Sequence, residues 1–311
     1  MPAQPGPRHV RIAALQPELK PEGGAGGAQA ATANMLMLRR VVEGLVANAP
    51  LDLVVLPEAF APVPLGVGSR AGDPVADHAA GVRQFLGHLA RACEVNVIGG
   101  SVEQPMPPGR PRNSCFVIDR QGREVGRYDK RTLFSLEADR RSSGQGPGIF
   151  ELDGVRVGVL ICGDLWRPEL ARELVGAVDV LCVPAMTAVP SDRHIPYAHT
   201  LWLSLALTRA MESALAVVVS DWAEGRHNET FLARDDASQP AHRCRRTYYT
   251  CGAGSICDPG HRPHIDRIQR VLPDGQTGAV RADIDLGALA EYRAYRRAVG
   301  LLPLESGQGP D

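Results

Sequence analysis

Short runs of apolar residues alternate with longer amphipathic stretches along most of this chain. Six runs are typical of strands buried in a sheet, at residues 10–16, 51–56, 95–101, 155–161, 178–183 and 214–220. Helices are predicted at residues 30–47, 74–93, 168–175, 197–213 and 286–299. Alternating strands and helices of these lengths indicate an α/β fold in which helices lie outside the sheets.

Hairpins are predicted in the middle of the chain and near its end. Residues 113–119 and 124–128 flank a turn at Gln121-Gly122, and short strands are expected at 252–257, 269–272 and 278–284. The segment 222–250 is crowded with Arg and His and is expected to be a loop. Because no repeat or linker divides the chain, we expect one domain over residues 1–311 with mixed sheets. Its core would cover about residues 9–300, with flexible tails.

The charge pattern argues against nucleic acid and membranes as partners. The chain has 34 basic and 35 acidic residues, which are interspersed rather than gathered into a stripe, and only 5% of its residues are aromatic. The longest apolar tract, residues 201–220, is interrupted by Arg209 and Glu212 and should not cross a bilayer. The N-terminus lacks the pattern of a signal peptide, so we expect a cytosolic protein.

The seven cysteines are odd in number and scattered, which is typical of free thiols in a reducing compartment. Cys251, Cys257, His261 and His264 stand close in sequence, but their spacing lacks the C-x-x-C form of common zinc sites. Cys257 also falls within an apolar strand pattern. The sequence therefore predicts no metal site.

Three reactive side chains each stand at the end of a strand-like run. Glu58 closes D-L-V-V-L-P-E, Lys130 closes E-V-G-R-Y-D-K and Cys162 closes V-G-V-L-I-C. The carboxyl ends of neighbouring strands converge on one crevice, so these groups can meet there. A carboxylate can accept the proton of a thiol nucleophile, and an ammonium can stabilise the oxyanion that the attack creates. Cys162 also precedes a predicted helix, whose positive end favours the thiolate.

Each of the three side chains has an ordinary interpretation as well. Glu58 can be a solvated carboxylate in a turn, and Lys130 a surface charge near Asp129 and Arg131. Cys162 can be an apolar filler, since cysteine is among the most buried residue types.

The blocks around these residues resemble the nitrilase superfamily of carbon-nitrogen hydrolases. The resemblance rests on L-V-V-L-P-E-A-F, G-R-Y-D-K-R-T-L-F and G-V-L-I-C-G-D-L-W-R-P-E, in that order, with weaker similarity over nearly the whole chain. It implies an αββα sandwich that usually dimerises and uses no metal or organic cofactor. The helix at residues 197–213 is a candidate for the two-fold contact of a homodimer.

The resemblance also implies roles for individual residues. Glu58 would take the proton of Cys162, which attacks an amide or nitrile carbon, while Lys130 and the backbone N–H of Gly163 hold the oxyanion. Water would then hydrolyse the resulting thioester. Glu137 matches a further carboxylate of many family members, and its ordinary interpretation is a surface acid paired with a neighbouring arginine, Arg140 or Arg141.

The sequence predicts a hydrolase of a small linear amide that releases carboxylic acid and ammonia. Gly163 stands where the family often has an aromatic residue, which leaves space beside the nucleophile. Three alternatives stay open: hydrolysis of a nitrile, hydrolysis of a carbamoyl compound, and acyl transfer to an amine acceptor. The lining of the pocket selects among them. Two other classes are a non-catalytic binding or assembly subunit and a redox-sensing thiol protein. The segment 222–250 is a candidate for substrate selection.

Overall fold

The computed structural model describes residues 9–20, 27–62, 74–134, 137–233, 242–260 and 268–302. Its strands are β1 (His9–Gln16), β2 (Leu53–Val55), β3 (Asn96–Ile98), β4 (Val102–Gln104), β5 (Arg112–Ile118), β6 (Glu124–Asp129), β7 (Gly148–Leu152), β8 (Val155–Val159), β9 (Val180–Pro184), β10 (Ala188–Val189), β11 (Ala216–Ser220), β12 (Gly225–Ala233), β13 (His242–Thr250), β14 (Ser255–Cys257), β15 (Gln269–Val271) and β16 (Gly278–Asp285). Its α-helices are α1 (Gly27–Asn48), α2 (Pro74–Cys93), α3 (Glu137–Arg140), α4 (Pro168–Arg172), α5 (Ile195–Ser213) and α6 (Leu286–Ala298). All of the predicted helices are present, with bounds that differ by a few residues.

Two large sheets form the centre of the fold. The first has the strand order β16-β1-β2-β3-β5-β4, with β6 also paired to β5. Its strands β1, β2 and β3 run parallel, and antiparallel partners flank them. The second has the order β15-β14-β11-β9-β8-β7, and its three central strands run parallel. Both sheets are mixed, as the sequence predicts.

The alternating side chains of β1 reveal how the layers stack. Val10, Ile12 and Ala14 belong to a buried cluster that they share with the second sheet, and this cluster extends to α5 on the far side of that sheet. Ala13 and Leu15 belong to a separate cluster with α1 and α2. Full burial of one aliphatic side chain contributes about 1.5–3 kcal/mol. The order of layers is therefore helix, sheet, sheet, helix, which confirms the predicted αββα sandwich.

The parallel strands of both sheets end on the same side of the sandwich. Just beyond β2, the Glu58 N–H donates to the carbonyl of Ala185 beyond β9, at 3.2 Å. Just beyond β11, the Asp221 N–H donates to the carbonyl of Leu15 in β1, also at 3.2 Å. Two hydrogen bonds between the sheets thus join their carboxyl ends, where a crevice is expected to carry function.

Within the segment that the sequence predicts to be a loop, residues 225–233 and 242–250 are strands. Strands β12 and β13 pair as an antiparallel hairpin from Gly225 to Thr250, and β10 adds to β13. The hairpin was missed because its alternation is carried by polar and aromatic residues rather than aliphatic ones. Arg226 and Asn228 are exposed, while His227 and Tyr248 are buried.

The sequence also makes predictions about flexible tails, a possible zinc site and a membrane-spanning helix. Both tails, residues 1–8 and 303–311, and the candidate ligands His261 and His264 lie outside the described residues. Cys251 and Cys257 are both buried free thiols. Among the residues that the structure describes, no helix is both long and apolar enough to span a bilayer. The single-domain boundaries stay a prediction.

Candidate active site

Glu58 lies at the carboxyl end of β2, buried between the sheets. Pro57 has no N–H to donate to a sheet, so the strand pairing ends before it. Glu58 is buried, with 5% of its residue surface exposed. Its carboxylate oxygen Oε1 accepts two hydrogen bonds. The donors are Lys130 Nζ at 2.9 Å and Asn113 Nδ2 at 2.8 Å.

Lys130 is the centre of the charged cluster. It directly follows β6, and its N–H donates to the Asn113 carbonyl at 2.8 Å, which fixes the residue beside β5. Its ammonium is buried and donates to Glu58 Oε1 and to Glu137 Oε2, at 2.9 and 2.7 Å. Burial alone would lower the pKa of Lys130, but the negative charges of Glu58 and Glu137 raise it above its usual range. The lysine is therefore an ammonium at neutral pH.

Glu137 is the first residue of α3 and contacts both a lysine and an arginine. Besides Lys130, its carboxylate accepts from Arg141 Nη1 at 2.6 Å and from the Phe134 N–H at 3.0 Å. Glu137 thus contacts both Lys130 and Arg141, and its functional role stays a prediction. Burial alone would raise the pKa of Glu137, but Lys130 and these other partners lower it. The carboxylate is therefore ionised.

Cys162 begins a 3-10 helix, Cys162–Trp166, which follows the second sheet's strand β8 after two residues. Its φ is 45°, in the left-handed region that residues other than glycine rarely adopt. Such strain is typical of functional sites, where the surrounding structure holds it in place. The Sγ atom is 4.0 Å from the carbonyl oxygen of Met186 and interacts with the side chains of Glu58 and Lys130.

The helix end that the sequence predicts beside Cys162 does not dominate the protonation of the thiol. Burial raises the pKa of the Cys162 thiol well above its ordinary value, and the negative charge of Glu58 adds to this rise. Lys130 acts in the opposite direction but does not reverse the shift. The predicted helix dipole is also weak, since a single 3-10 turn follows the cysteine. The thiol is therefore neutral at rest and needs a base when it reacts.

Asp164 organises the site, and sequence reasoning missed it. This fully buried carboxylate accepts four hydrogen bonds. Tyr128 donates its hydroxyl at 2.8 Å and Ile161 its N–H at 3.0 Å, while Arg131 and Thr132 donate their N–H groups at 3.2 and 2.6 Å. Asp164 thus ties the loop after β6 to the strand end before the cysteine. The signal in the sequence was an acidic residue two positions after the nucleophile.

The sequence did not single out Asn113, and it named Arg141 only as a possible ion-pair partner of Glu137. Asn113 Nδ2 donates to both Glu58 and Glu137, at 2.8 and 3.3 Å. Arg141 lies between Glu137 and Glu103 and forms ion pairs with both. Asn113 and Arg141 both donate to Oε1 of Glu137, the oxygen that Lys130 leaves unpaired, while Asn113 shares Oε1 of Glu58 with Lys130. Buried charges require such hydrogen bonds.

Gly163 is buried next to the lysine. A Cβ added to it would lie 3.5 Å from the Thr132 carbonyl oxygen and 3.9 Å from Lys130 Cε. These are ordinary contact distances, so a side chain at position 163 would point between Lys130 and Phe134. The glycine therefore leaves space beside the cluster, as the sequence suggests.

The structure brings all of the sequence-predicted site residues into one place. Hydrogen bonds connect Glu58, Lys130 and Glu137, and the thiol of Cys162 lies against this cluster with Gly163 beside it. The cluster combines a neutral nucleophile, an adjacent carboxylate and a fixed ammonium. Such an arrangement can form a covalent bond to a carbonyl carbon and stabilise the oxyanion.

Replacing Asp164 with Asn tests the anchoring network. In Asp164→Asn the amide nitrogen would face two of the four donors, because each carboxylate oxygen accepts two of them. We expect the free energy of unfolding to fall by about 2–3 kcal/mol, measured by denaturant titration.

The control is Tyr128→Phe, which removes one donor and leaves the three backbone bonds intact. It should cost about 0.5–1.5 kcal/mol. If Asp164→Asn unfolds at the same denaturant concentration as the wild type, the network does not anchor the site.

Comparison with known proteins identifies the family of this chain. The carbon-nitrogen hydrolase family model matches residues 11–294. The 2-oxoglutaramate amidase of Bacillus subtilis is 30% identical over 251 residues, which cover 78% of this chain and 81% of that protein. The deaminated glutathione amidase of Synechocystis sp. is 30% identical over 182 residues, which cover 54% of this chain and 64% of that protein.

The solved structures agree on the fold. Nit3 of Saccharomyces cerevisiae, a member of branch 10 of the nitrilase superfamily, superposes with a TM-score of 0.70 and 19% identity. The match covers 97% of this chain and 98% of that one. The solved structure shares the fold of this chain. The match of the family model over residues 11–294 shows that this chain belongs to the carbon-nitrogen hydrolase family.

Proposed function

We propose that this protein is a cysteine-dependent amidase that converts a small linear amide into a carboxylic acid and ammonia. One observation supports this most strongly. A buried ammonium, that of Lys130, is hydrogen-bonded to the carboxylates of Glu58 and Glu137 beside the neutral thiol of Cys162. Amide hydrolysis needs a nucleophile, a base and a positive charge at one carbon atom, and this cluster contains all of them.

In the first step, the sulfur of Cys162 attacks the amide carbon. Glu58 accepts the thiol proton as the C–S bond forms, since the thiol is neutral at rest. The electron pair of the C=O bond moves to oxygen, and the Lys130 ammonium and the Gly163 N–H stabilise this oxyanion.

In the second step, the C–N bond breaks and the oxyanion collapses to a thioester. Glu58 gives its proton to the leaving nitrogen, so that ammonia departs. Glu58 then takes a proton from water, whose oxygen attacks the thioester carbon. The C–S bond breaks, the sulfur regains a proton, and the carboxylic acid leaves.

Glu137 acts through Lys130 in this scheme. Its lowered pKa keeps it ionised, so it serves as a charge partner rather than a proton carrier. Glu137 and Glu58 both accept hydrogen bonds from the Lys130 ammonium and so fix its position. Arg141 donates to the other carboxylate oxygen of Glu137. A fixed ammonium costs no reorganisation when the oxyanion forms.

The substrate class follows from the relatives and the site. The two amidase relatives are named for 2-oxoglutaramate and for deaminated glutathione, which supports an amide of a small carboxylic acid. Gly163 places no side chain between Lys130 and Phe134. The expectations of a homodimer and of a cytosolic location stay predictions.

The assay that tests the proposal is ammonia release from a panel of primary amides and nitriles. Cys162→Ala should lose activity to background, because the nucleophile is gone. Glu58→Gln should lose roughly 10²- to 10⁴-fold in kcat/KM, the usual contribution of a general base. Cys244→Ser is the matched control, since Cys244 is a partly exposed free thiol in β13, and it should keep full activity.

Mass spectrometry on quenched reactions adds a direct readout. An acyl group on Cys162, absent from Cys162→Ala, would identify the acid portion of the substrate. Equal ammonia release by the wild type and Cys162→Ala, or none by either, would contradict the amidase proposal. Release from nitriles alone would move the chemistry to a nitrilase.

The role of Glu137 is tested by substituting, one at a time, Glu137 and Glu103, the two carboxylates that form ion pairs with Arg141. Glu137→Gln removes a charge that holds Lys130, so kcat should fall roughly 10- to 100-fold as the ammonium loses its position. Glu103→Gln removes the other ion pair of Arg141, which does not touch Lys130, and should stay within about threefold of wild type. Equal effects of both substitutions would exclude a specific role for Glu137.

A further inference from the structure

The turn that carries Glu58 is held from three sides. Its N–H donates to the Ala185 carbonyl at 3.2 Å, and its carbonyl accepts from the indole Nε1 of Trp222 at 2.7 Å. The next residue, Ala59, has a left-handed φ of 53°, and its N–H donates to Ser101 Oγ at 3.1 Å. A strained backbone of this kind persists only where its surroundings fix it.

Of these three contacts, only the one from Trp222 comes from an aromatic ring. The Trp222 side chain is fully buried, and its indole is a donor with no acceptor atom. The backbone N–H of Trp222 donates to Asp221 Oδ1 at 2.9 Å. The buried Asp221 also accepts from the N–H groups of Thr187 and Ala253, at 2.9 and 2.8 Å. The main chain of Trp222 is thereby anchored at the ends of β9 and β11 and just before β14.

The hairpin β12–β13 packs against the indole. The ring of His227 meets Trp222 edge to face, with centroids 5.4 Å apart and planes at 88°, and Tyr248 packs against His227 at 5.2 Å. His227 Nε2 lies 2.8 Å from Thr250 Oγ1, whose hydroxyl donates to the Ala223 carbonyl at 2.6 Å. Nε2 therefore carries the proton and donates it to Thr250, which fixes the orientation of the His227 ring.

We propose that Trp222 is a positioning residue for Glu58, and that the hairpin β12–β13 acts on Glu58 through the contacts between the rings of Trp222, His227 and Tyr248. This inference rests on the proposed function, in which Glu58 is the general base. It gives residues 222–250 a role in placing the base. Small displacements of a catalytic group cost large factors in rate, so a hydrogen bond at the backbone of Glu58 is sufficient to matter.

The first experiment removes the indole N–H. In Trp222→Phe an aromatic ring remains but the donor is lost, so kcat should fall roughly 10- to 100-fold while KM stays within about twofold. The matched control is Trp202→Phe, a buried tryptophan of α5 on the far side of the second sheet, which should keep its kcat. If Trp222→Phe does not fold, benzothienylalanine at position 222, which has sulfur in place of the N–H, gives the same comparison with the ring shape kept.

A double-mutant cycle separates positioning from a general loss of structure. Because Trp222 acts through Glu58, Trp222→Phe should cost nothing further in a Glu58→Gln background. An equal loss in both backgrounds, or wild-type kcat in Trp222→Phe, would overturn the inference. These outcomes differ from failure of the proposed function, in which Glu58→Gln itself would retain wild-type activity.

A second cycle tests the hairpin. His227→Ala removes the edge contact, so kcat should fall in the same direction by a smaller factor, with no further loss when it is combined with Trp222→Phe. Additive losses in the double variant, or an unchanged kcat in His227→Ala, would overturn the part of the inference that concerns the hairpin.

Discussion

The rest of the site depends on the ion pairs that the buried ammonium of Lys130 forms with two carboxylates. A buried charge without partners is very costly, so the fold must supply carboxylates at hydrogen-bond distance from it. Glu58 from the end of β2 and Glu137 from α3 meet this requirement, at 2.9 and 2.7 Å. Because the three residues come from separate elements, the charge cluster also ties those elements together.

The sandwich explains how such distant residues meet. Parallel strands of both sheets end on one side, and hydrogen bonds between the sheets join those ends. Two buried aspartates then fix the local backbone. Asp164 holds the segment around Cys162 against the loop after β6, and Asp221 holds the main chain of Trp222 near Glu58. The same burial that makes the cluster compact raises the pKa of the thiol, so the proposed mechanism uses the carboxylate beside it as the base.

Local patterns predict mixed sheets with outer helices and single out three strand ends, while the αββα order of layers and the roles of the site residues came from the family resemblance. Strand-like runs end at Glu58, Lys130 and Cys162, and carboxyl ends of parallel strands converge. The supporting residues could not be predicted in this way. Asn113 lies in an ordinary strand pattern, and Trp222 bonds to a backbone atom 164 residues away in sequence. The protonation state of Cys162 also depends on burial by the whole fold, which no local motif reveals.

The central claim is that Cys162 is a neutral thiol at rest, beside a carboxylate that takes its proton during attack. The ultraviolet absorbance of the thiolate, measured across pH as the difference between the wild type and Cys162→Ser, tests it most directly. We predict no thiolate absorbance from Cys162 at neutral pH and its appearance only in alkaline solution. A thiolate signal from Cys162 at or below neutral pH would contradict the account.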